Sequence, residues 1–188
     1  MKKILIAGDS FAADWTKKYE GRGWVNMLSE EYYVKNIAEA GVSEYKIYKQ
    51  LNSENINDYD FIIISHTSPY RIPVVKHPVH HDDILHKNCD LIYSDLKEHV
   101  ENPIAKIGVD FYENLFDTDY FIFVYHLIMD KIILKYPKAI HITFFDDFKK
   151  DNIYGFEKIY LNNKGLINHM NEKGNKIIYK KINNLINE

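Results

Sequence analysis

Short runs of apolar residues recur along the chain and are separated by longer segments with helical spacing. The clearest runs are bounded by turn-forming residues and lie at residues 3–7, 32–37, 60–65 and 139–145. Short apolar runs of this kind are typical of parallel strands that are buried on both faces. We therefore predict a strand at each of these positions.

The segments between the runs predict helices. Residues 43–51 predict a helix with Ser43 as its N-cap. Residues 104–136 have helical apolar spacing, and the pattern predicts two helices with a break near Asp117. The last segment, residues 171–187, places its isoleucines on one stripe and predicts an amphipathic C-terminal helix.

Strands that alternate with helices indicate right-handed β-α-β units. The expected fold class is therefore α/β, a three-layer α/β/α sandwich with a mostly parallel, flavodoxin-like sheet. No internal repeat, low-complexity linker or break in composition divides the chain, so we expect a single domain over residues 1–188. The histidine-rich residues 76–103 show neither the strand pattern nor the helix pattern, and we expect them to be an insertion in that domain.

Composition and charge argue against several classes of function. The net charge of −3 gives no basic field for binding nucleic acid or an anionic membrane. The longest apolar run, residues 120–129, is shorter than the roughly 20 residues that a membrane-spanning helix needs. The apolar run after Met1 is shorter than the roughly 7–15 residues of a signal-peptide core. The single cysteine, Cys89, excludes an intramolecular disulfide. We expect a cytoplasmic protein without nucleic-acid or membrane partners.

Two residues with catalytic potential lie just beyond predicted elements. Ser10 ends Gly8-Asp9-Ser10 after the first strand, where the N–H groups of a following helix favour developing negative charge. His169 directly precedes the C-terminal helix, and neutral imidazole is a suitable base for a serine hydroxyl. Taken alone, Gly-Asp-Ser also suits a turn, and His169 also suits a surface helix cap. The combination of the two positions favours nucleophilic catalysis.

Three blocks of sequence resemble motifs of the SGNH/GDSL-type hydrolase superfamily. Gly8-Asp9-Ser10 is similar to the first block, residues 36–43 to the second, and residues 168–175 to the last. The resemblance implies that Ser10 is the nucleophile and His169 its base. It also implies that the backbone N–H groups of Ser10 and Gly41 stabilise the oxyanion.

The activity implied by this resemblance is that of a serine esterase or deacetylase. The implied substrate is a small acyl ester, such as an O-acetyl group on a carbohydrate, which reacts through an acyl-enzyme without a cofactor. Two alternatives use the same pocket. One is an O-acyltransferase, in which an alcohol replaces water, and the other is a non-catalytic binding protein that keeps a degenerate pocket.

Two positions depart from the family pattern. Ser68 stands where the third block has an asparagine that completes the oxyanion hole, and its hydroxyl can donate one hydrogen bond. Leu166 stands where the family has the aspartate that orients the histidine. A backbone carbonyl near residue 166 is one alternative orienting group. Acids beyond the fourth predicted strand are another: Asp146, Asp147 and Asp151.

The remaining charged and histidine residues are candidates for binding a substrate or a metal ion. Asp9 and Arg71 are candidate substrate-binding residues, because a guanidinium can hold a carboxylate or phosphate in bidentate fashion. A surface ion pair would explain Arg71 equally well. The histidines of the insertion match no familiar metal-binding spacing, so we expect no metal there. The residues weighed for this purpose are His77, His80, His81, Asp82, Asp83 and His86.

Overall fold

A computed structural model describes residues 1–188, in which strands and helices alternate along most of the chain. The strands, in chain order, are β1 (Lys3–Gly8), β2 (Tyr33–Asn36), β3 (Phe61–His66), β4 (Ile140–Thr143), β5 (Tyr154–Gly155) and β6 (Lys164–Ile167). The α-helices are α1 (Trp24–Leu28), α2 (Glu44–Asn52), α3 (Tyr93–Lys97), α4 (Pro103–Asn114), α5 (Thr118–Lys135), α6 (Glu157–Asn162) and α7 (Glu172–Asn187). None of these helices combines the length and the apolar composition that crossing a bilayer requires.

The first five strands form one sheet in the order β2-β1-β3-β4-β5, and every pairing in it is parallel. Ile6 of β1 lies opposite Asn36 of β2 on one side and Ile63 of β3 on the other. This is the flavodoxin-like order, in which the direction of winding reverses between β1 and β3. The predicted α/β class is confirmed, with helices on both faces of a parallel sheet.

Alternation of side chains along the strands builds a core on each face of the sheet. Ile6 belongs to the cluster that α1 and α7 cover, in which Ile178 is fully buried. The next residue, Ala7, belongs to the opposite cluster, with Ile47 of α2 and Ile132 of α5. Successive residues of a strand point to opposite faces, so a fully apolar strand is stable only when both faces are covered.

Several predicted boundaries are confirmed by local hydrogen bonds. The Ser43 side chain accepts the backbone N–H of Lys46 and caps α2. The break near Asp117 is present, because the Asp117 carboxylate caps α5 by accepting the backbone N–H of Tyr120. The pattern did not predict β5, α6 or β6, whose lengths of two, six and four residues are too short for a clear period.

Residues 76–103 are mostly irregular, except for α3 and for the last of them, which begins α4. Leu96 of α3 packs against Val109 of α4 in a small apolar cluster of its own. The Asp90 carboxylate accepts the backbone N–H of Ser43 at 2.8 Å, which attaches the segment to the start of α2. The segment therefore packs against the edge of the sheet at which β1, β2 and β3 end.

Candidate active site

Ser10 lies in the turn after β1, beside the point at which the winding of the sheet reverses. It is 5% exposed. The carbonyl of Asp9 accepts the N–H groups of Ala12 and Ala13, both at 3.0 Å, and the Trp15 indole donates to the carbonyl of Ser10 at 2.7 Å. These bonds fix the turn but leave both the N–H and the hydroxyl of Ser10 without a partner in the chain. Parallel sheets bind ligands at this edge.

Gly41 follows β2 at the same edge. Its φ of 77° is in the left-handed region, and a Cβ at this position would lie 2.6 Å from the Cβ of Cys89, so only glycine fits. The Gly41 carbonyl accepts hydrogen bonds from the N–H of Asp90 (2.9 Å) and from Nη1 of Arg71 (3.0 Å). Its own N–H has no acceptor. That N–H is therefore available to a ligand.

Ser68 follows β3 and is the third predicted oxyanion donor. It is 6% exposed, and its hydroxyl takes part in none of the side-chain hydrogen bonds of the chain. Because β2, β1 and β3 are neighbours in the sheet, Gly41, Ser10 and Ser68 come from three adjacent strand ends. The structure thus places all three predicted donors at one edge and leaves each uncommitted.

His169 occupies a tight turn between β6 and α7. The φ angles of Asn168 and His169 are 48° and 60°, so two consecutive residues adopt the left-handed conformation. The Asn168 amide donates to the carbonyls of Ala13 (2.8 Å) and Ser10 (3.5 Å). The amide of Asn175, in α7, donates to the carbonyl that precedes the turn at 2.8 Å. Asn168 therefore ties the His169 turn to the Ser10 loop, and Asn175 ties the turn to α7. The sequence analysis did not assign these roles to the two buried asparagines.

Aromatic rings enclose the imidazole of His169. Its centroid lies 4.7 Å from that of Phe11, 5.2 Å from that of Trp15 and 6.4 Å from that of Tyr160. This burial lowers the pKa of His169 to about 4, and the charges of Arg71 and His86 act in the same direction. The ring is therefore neutral near pH 7, which is the form that a general base requires.

The ring of His169 makes no hydrogen bond, either to the Ser10 hydroxyl or to a carboxylate. The Leu166 carbonyl accepts the backbone N–H of His169 at 3.3 Å, not a ring N–H. The Leu166 side chain is 69% exposed. The Asp146 side chain lies against Gly155, with Oδ1 buried and unpartnered. Asp147 and Asp151 are exposed, and no hydrogen bond joins either to the ring. Serine and histidine are brought to one region, but they are not joined as a hydrogen-bonded dyad.

Asp9 and Arg71 place opposite charges at this edge without forming an ion pair. Oδ1 of Asp9 accepts the N–H of Phe11 and the hydroxyl of Ser65, both at 3.1 Å, whereas Oδ2 is buried and unpartnered. Burial raises the pKa of Asp9 to about 7, against the opposing charge of Arg71. Arg71 is half-buried, and its only hydrogen bond goes to Gly41, so Nε is left without a partner. A guanidinium in this state is suited to an anionic or polar group of a ligand.

A buried chain of titratable side chains lies next to Asp9. Glu44 Oε1 is 2.6 Å from Nδ1 of His66, Nε2 of His66 is 3.0 Å from Nδ1 of His141, and Nε2 of His141 donates to the Tyr136 carbonyl at 3.1 Å. Because the Tyr136 carbonyl can only accept, Nε2 of His141 carries the hydrogen of that neutral ring. Nδ1 of His141 then accepts from Nε2 of His66, and Nδ1 of His66 faces Glu44. Burial lowers the pKa of His141 to about 4.

The sequence analysis missed this chain because its members are far apart in sequence. His66 is 22 positions from Glu44 and 75 from His141. The available signal was a buried polar residue in each of two central strands, His66 at the end of β3 and His141 within β4. Such a residue needs a partner, because an unpaired polar group in a core is costly.

Three further side chains form a cluster in the insertion. His77, His80 and Asp95 place potential ligand atoms within 4.8 Å of one another. Asp95 was not among the residues weighed for metal binding. Asp83, which was, pairs instead with Lys18 at 2.6 Å.

Cys89 is buried behind Gly41 and is 4% exposed. Burial raises the pKa of its thiol to about 12. A thiol that stays protonated near pH 7 is a poor nucleophile, so Cys89 has a packing role at this site.

Comparison with known proteins gave no match, whether with family models, curated proteins or solved structures. The fold and the site therefore define the class of this chain by themselves. It is an α/β protein with a serine, free N–H donors and a neutral histidine at the carboxyl edge of a parallel sheet.

Proposed function

We propose that this chain is a serine hydrolase of the SGNH type that cleaves a small acyl ester. The observation that carries the proposal is the set of uncommitted donors around Ser10. The N–H groups of Ser10 and Gly41 have no acceptor in the chain, and the Ser68 hydroxyl makes no side-chain hydrogen bond. Preorganised donors of this kind stabilise the oxyanion of acyl transfer. An O-acetyl group on a carbohydrate is the substrate class that the sequence resemblance suggests.

In the proposed reaction, the Ser10 hydroxyl attacks the ester carbonyl while His169 accepts its proton. The tetrahedral oxyanion is held by the two N–H groups and by the Ser68 hydroxyl. His169 then returns the proton to the leaving alcohol, and an acyl-enzyme forms on Ser10 Oγ. Water attacks this intermediate, again with His169 as base, and the products are a carboxylic acid and free enzyme.

His169 has to turn toward Ser10 for this chemistry, because no hydrogen bond joins its ring to the Ser10 hydroxyl. Catalytic hydrogen bonds often tighten only when a substrate is bound. With a pKa of about 4, His169 is a weaker base than the imidazole of a complete triad. The proposed enzyme is therefore slow compared with enzymes whose histidine is paired with a carboxylate.

The test combines a fluorophosphonate probe for active serines with the turnover of p-nitrophenyl acetate. Wild type should be labelled at Ser10, and Ser10→Ala should lose both labelling and at least about 10³-fold of the turnover. Ser29→Ala is the matched control, because Ser29 is an exposed serine at the end of α1. Absence of labelling in the folded wild type, together with unchanged turnover in Ser10→Ala, would overturn the proposal.

One observation favours a second candidate, a non-catalytic binding protein. No carboxylate or carbonyl accepts a hydrogen from the ring of His169, and no hydrogen bond joins the ring to Ser10. A pocket of this type can hold an acylated ligand without cleaving it. In that case Ser10→Ala and wild type would bind an acetylated sugar with equal affinity in a calorimetric titration, and neither would release acetate.

A further inference from the structure

The residue before Ser68 is held by side chains of two helices and not by the sheet. The last residue of β3 that pairs with β1 is Ser65, and the last that pairs with β4 is His66. Thr67 therefore lies beyond both neighbouring strands, although it is fully buried. Buried peptide groups need hydrogen-bond partners, so other parts of the chain have to supply them.

Two buried side chains supply these partners. Glu44, the first residue of α2, accepts the N–H of Thr67 through Oε2 at 3.2 Å. Tyr125, in the middle of α5, donates its hydroxyl hydrogen to the Thr67 carbonyl at 2.8 Å. The hydroxyl of Thr67 itself is buried without a partner, so the position of this residue depends on the two bonds to its backbone.

The bond from Tyr125 acts on the peptide group that leads into Ser68. That planar group joins the Thr67 carbonyl to the nitrogen of Ser68, so its orientation sets the direction in which the Ser68 side chain leaves the backbone. We propose that Tyr125 is a positioning residue, which holds this peptide group so that the Ser68 hydroxyl can donate to the oxyanion. The inference rests on the proposed hydrolase function, in which Tyr125 acts only through Ser68.

The surroundings of Tyr125 suit this role. It is 4% exposed, and burial raises its pKa well above the usual value, so the hydroxyl keeps its hydrogen and remains a donor. Its ring packs with Met129 and Ile153 in an apolar cluster, which restricts the movement of the donor. This restriction matters, because displacing a group of an active site by about 1 Å can reduce the rate about 10²-fold.

The test measures the steady-state turnover of p-nitrophenyl acetate by the full chain. Ser68→Ala removes the donor and should lower kcat by at least about 10²-fold. Tyr125→Phe keeps the ring and removes only the bond to Thr67, so it should lower kcat by at least about 10-fold and leave KM unchanged. Adding Tyr125→Phe to Ser68→Ala should lower kcat no further, because Tyr125 acts through Ser68.

Tyr32→Phe is the matched control, because it removes another buried tyrosine hydroxyl, which donates to Asn183 of α7 and lies before β2, at the opposite edge of the sheet. It should keep the wild-type kcat even where urea unfolding shows that it is as destabilised as Tyr125→Phe. Turnover that persists in Ser10→Ala would overturn the hydrolase proposal together with this one. Turnover that depends on Ser10 but keeps the wild-type kcat in Tyr125→Phe or in Ser68→Ala would overturn this inference alone. So would a decrease in kcat on Tyr125→Phe that is equally large in the Ser68→Ala background.

Discussion

Replacing Asp9 with asparagine tests whether burial, rather than the charge of Arg71, determines the protonation of the residue next to Ser10. Asp9 is 1% exposed, and burial raises its pKa from 3.8 to about 7. The unfolded chain therefore loses this proton as the pH rises past the lower value, while the folded chain retains it up to the higher one. Between the two values the folded state binds more protons, so the Asp9 contribution to stability falls as the pH rises.

The size of the effect follows from the two pKa values. Each pH unit between them removes about 1.4 kcal/mol from the free energy of unfolding. Asparagine can still accept the bonds from Phe11 and Ser65 through Oδ1, and the other titratable groups are common to both proteins. The stability of Asp9→Asn relative to wild type should therefore increase by about 3 kcal/mol from pH 5 to pH 9, mostly below pH 7.

The assay is urea unfolding at several pH values, followed by the fluorescence of the buried Trp15 and Trp24. The control is Asp82→Asn, whose side chain is 92% exposed and which should show no such increase. A difference between Asp9→Asn and wild type that does not vary with pH would refute the burial argument. If Arg71 dominated, the folded pKa would lie below 3.8, and the stability of Asp9→Asn relative to wild type would decrease with rising pH only below about pH 4. Carbon-13 NMR titration of the Asp9 carboxyl group in wild type measures the same pKa without a substitution.

Three further predictions concern the polar network and the ligand. Glu44→Gln keeps a donor for His66 and should lower the free energy of unfolding by less than about 1 kcal/mol, whereas Glu44→Ala should lower it by about 2–3 kcal/mol in urea unfolding. Asn175→Ala frees the His169 turn, so it should cost about 2–3 kcal/mol and reduce ester turnover, and exposed Asn184→Ala should do neither. Arg71→Met should raise KM about 10-fold for an ester that carries a carboxylate and leave KM for a neutral ester unchanged, as steady-state kinetics would show.

The elements that the sequence predicted correctly are those whose period and boundary signals agree. The stretch around Ser43 shows this, because a capping serine precedes a helical pattern and α2 starts there. On the last helix, Ile178, Ile182 and Ile186 are buried as the apolar stripe requires. β5 has two residues and owes its place to pairing with β4, so no local pattern could predict it.

The sequence predicts which residues lie at the carboxyl edge of the sheet, but not how their side chains are oriented. Ser10 and His169 do come to one edge, because the carboxyl ends of parallel strands meet there. The orientation of His169 depends on a turn with two left-handed residues, Asn168 and His169, and on the Asn175 amide. Asp95 joins His77 through the packing of α3 against α4. These contacts arise from tertiary packing, which residue spacing does not encode.

Cys89 has a practical consequence for spectroscopy. Since this buried thiol stays protonated, maleimide reagents should leave it unmodified in the folded chain. A cysteine introduced at Ile84, which is 61% exposed within the insertion, would then react selectively, without a prior substitution of Cys89. A fluorophore or spin label attached there would report directly whether residues 76–103 move when an ester binds.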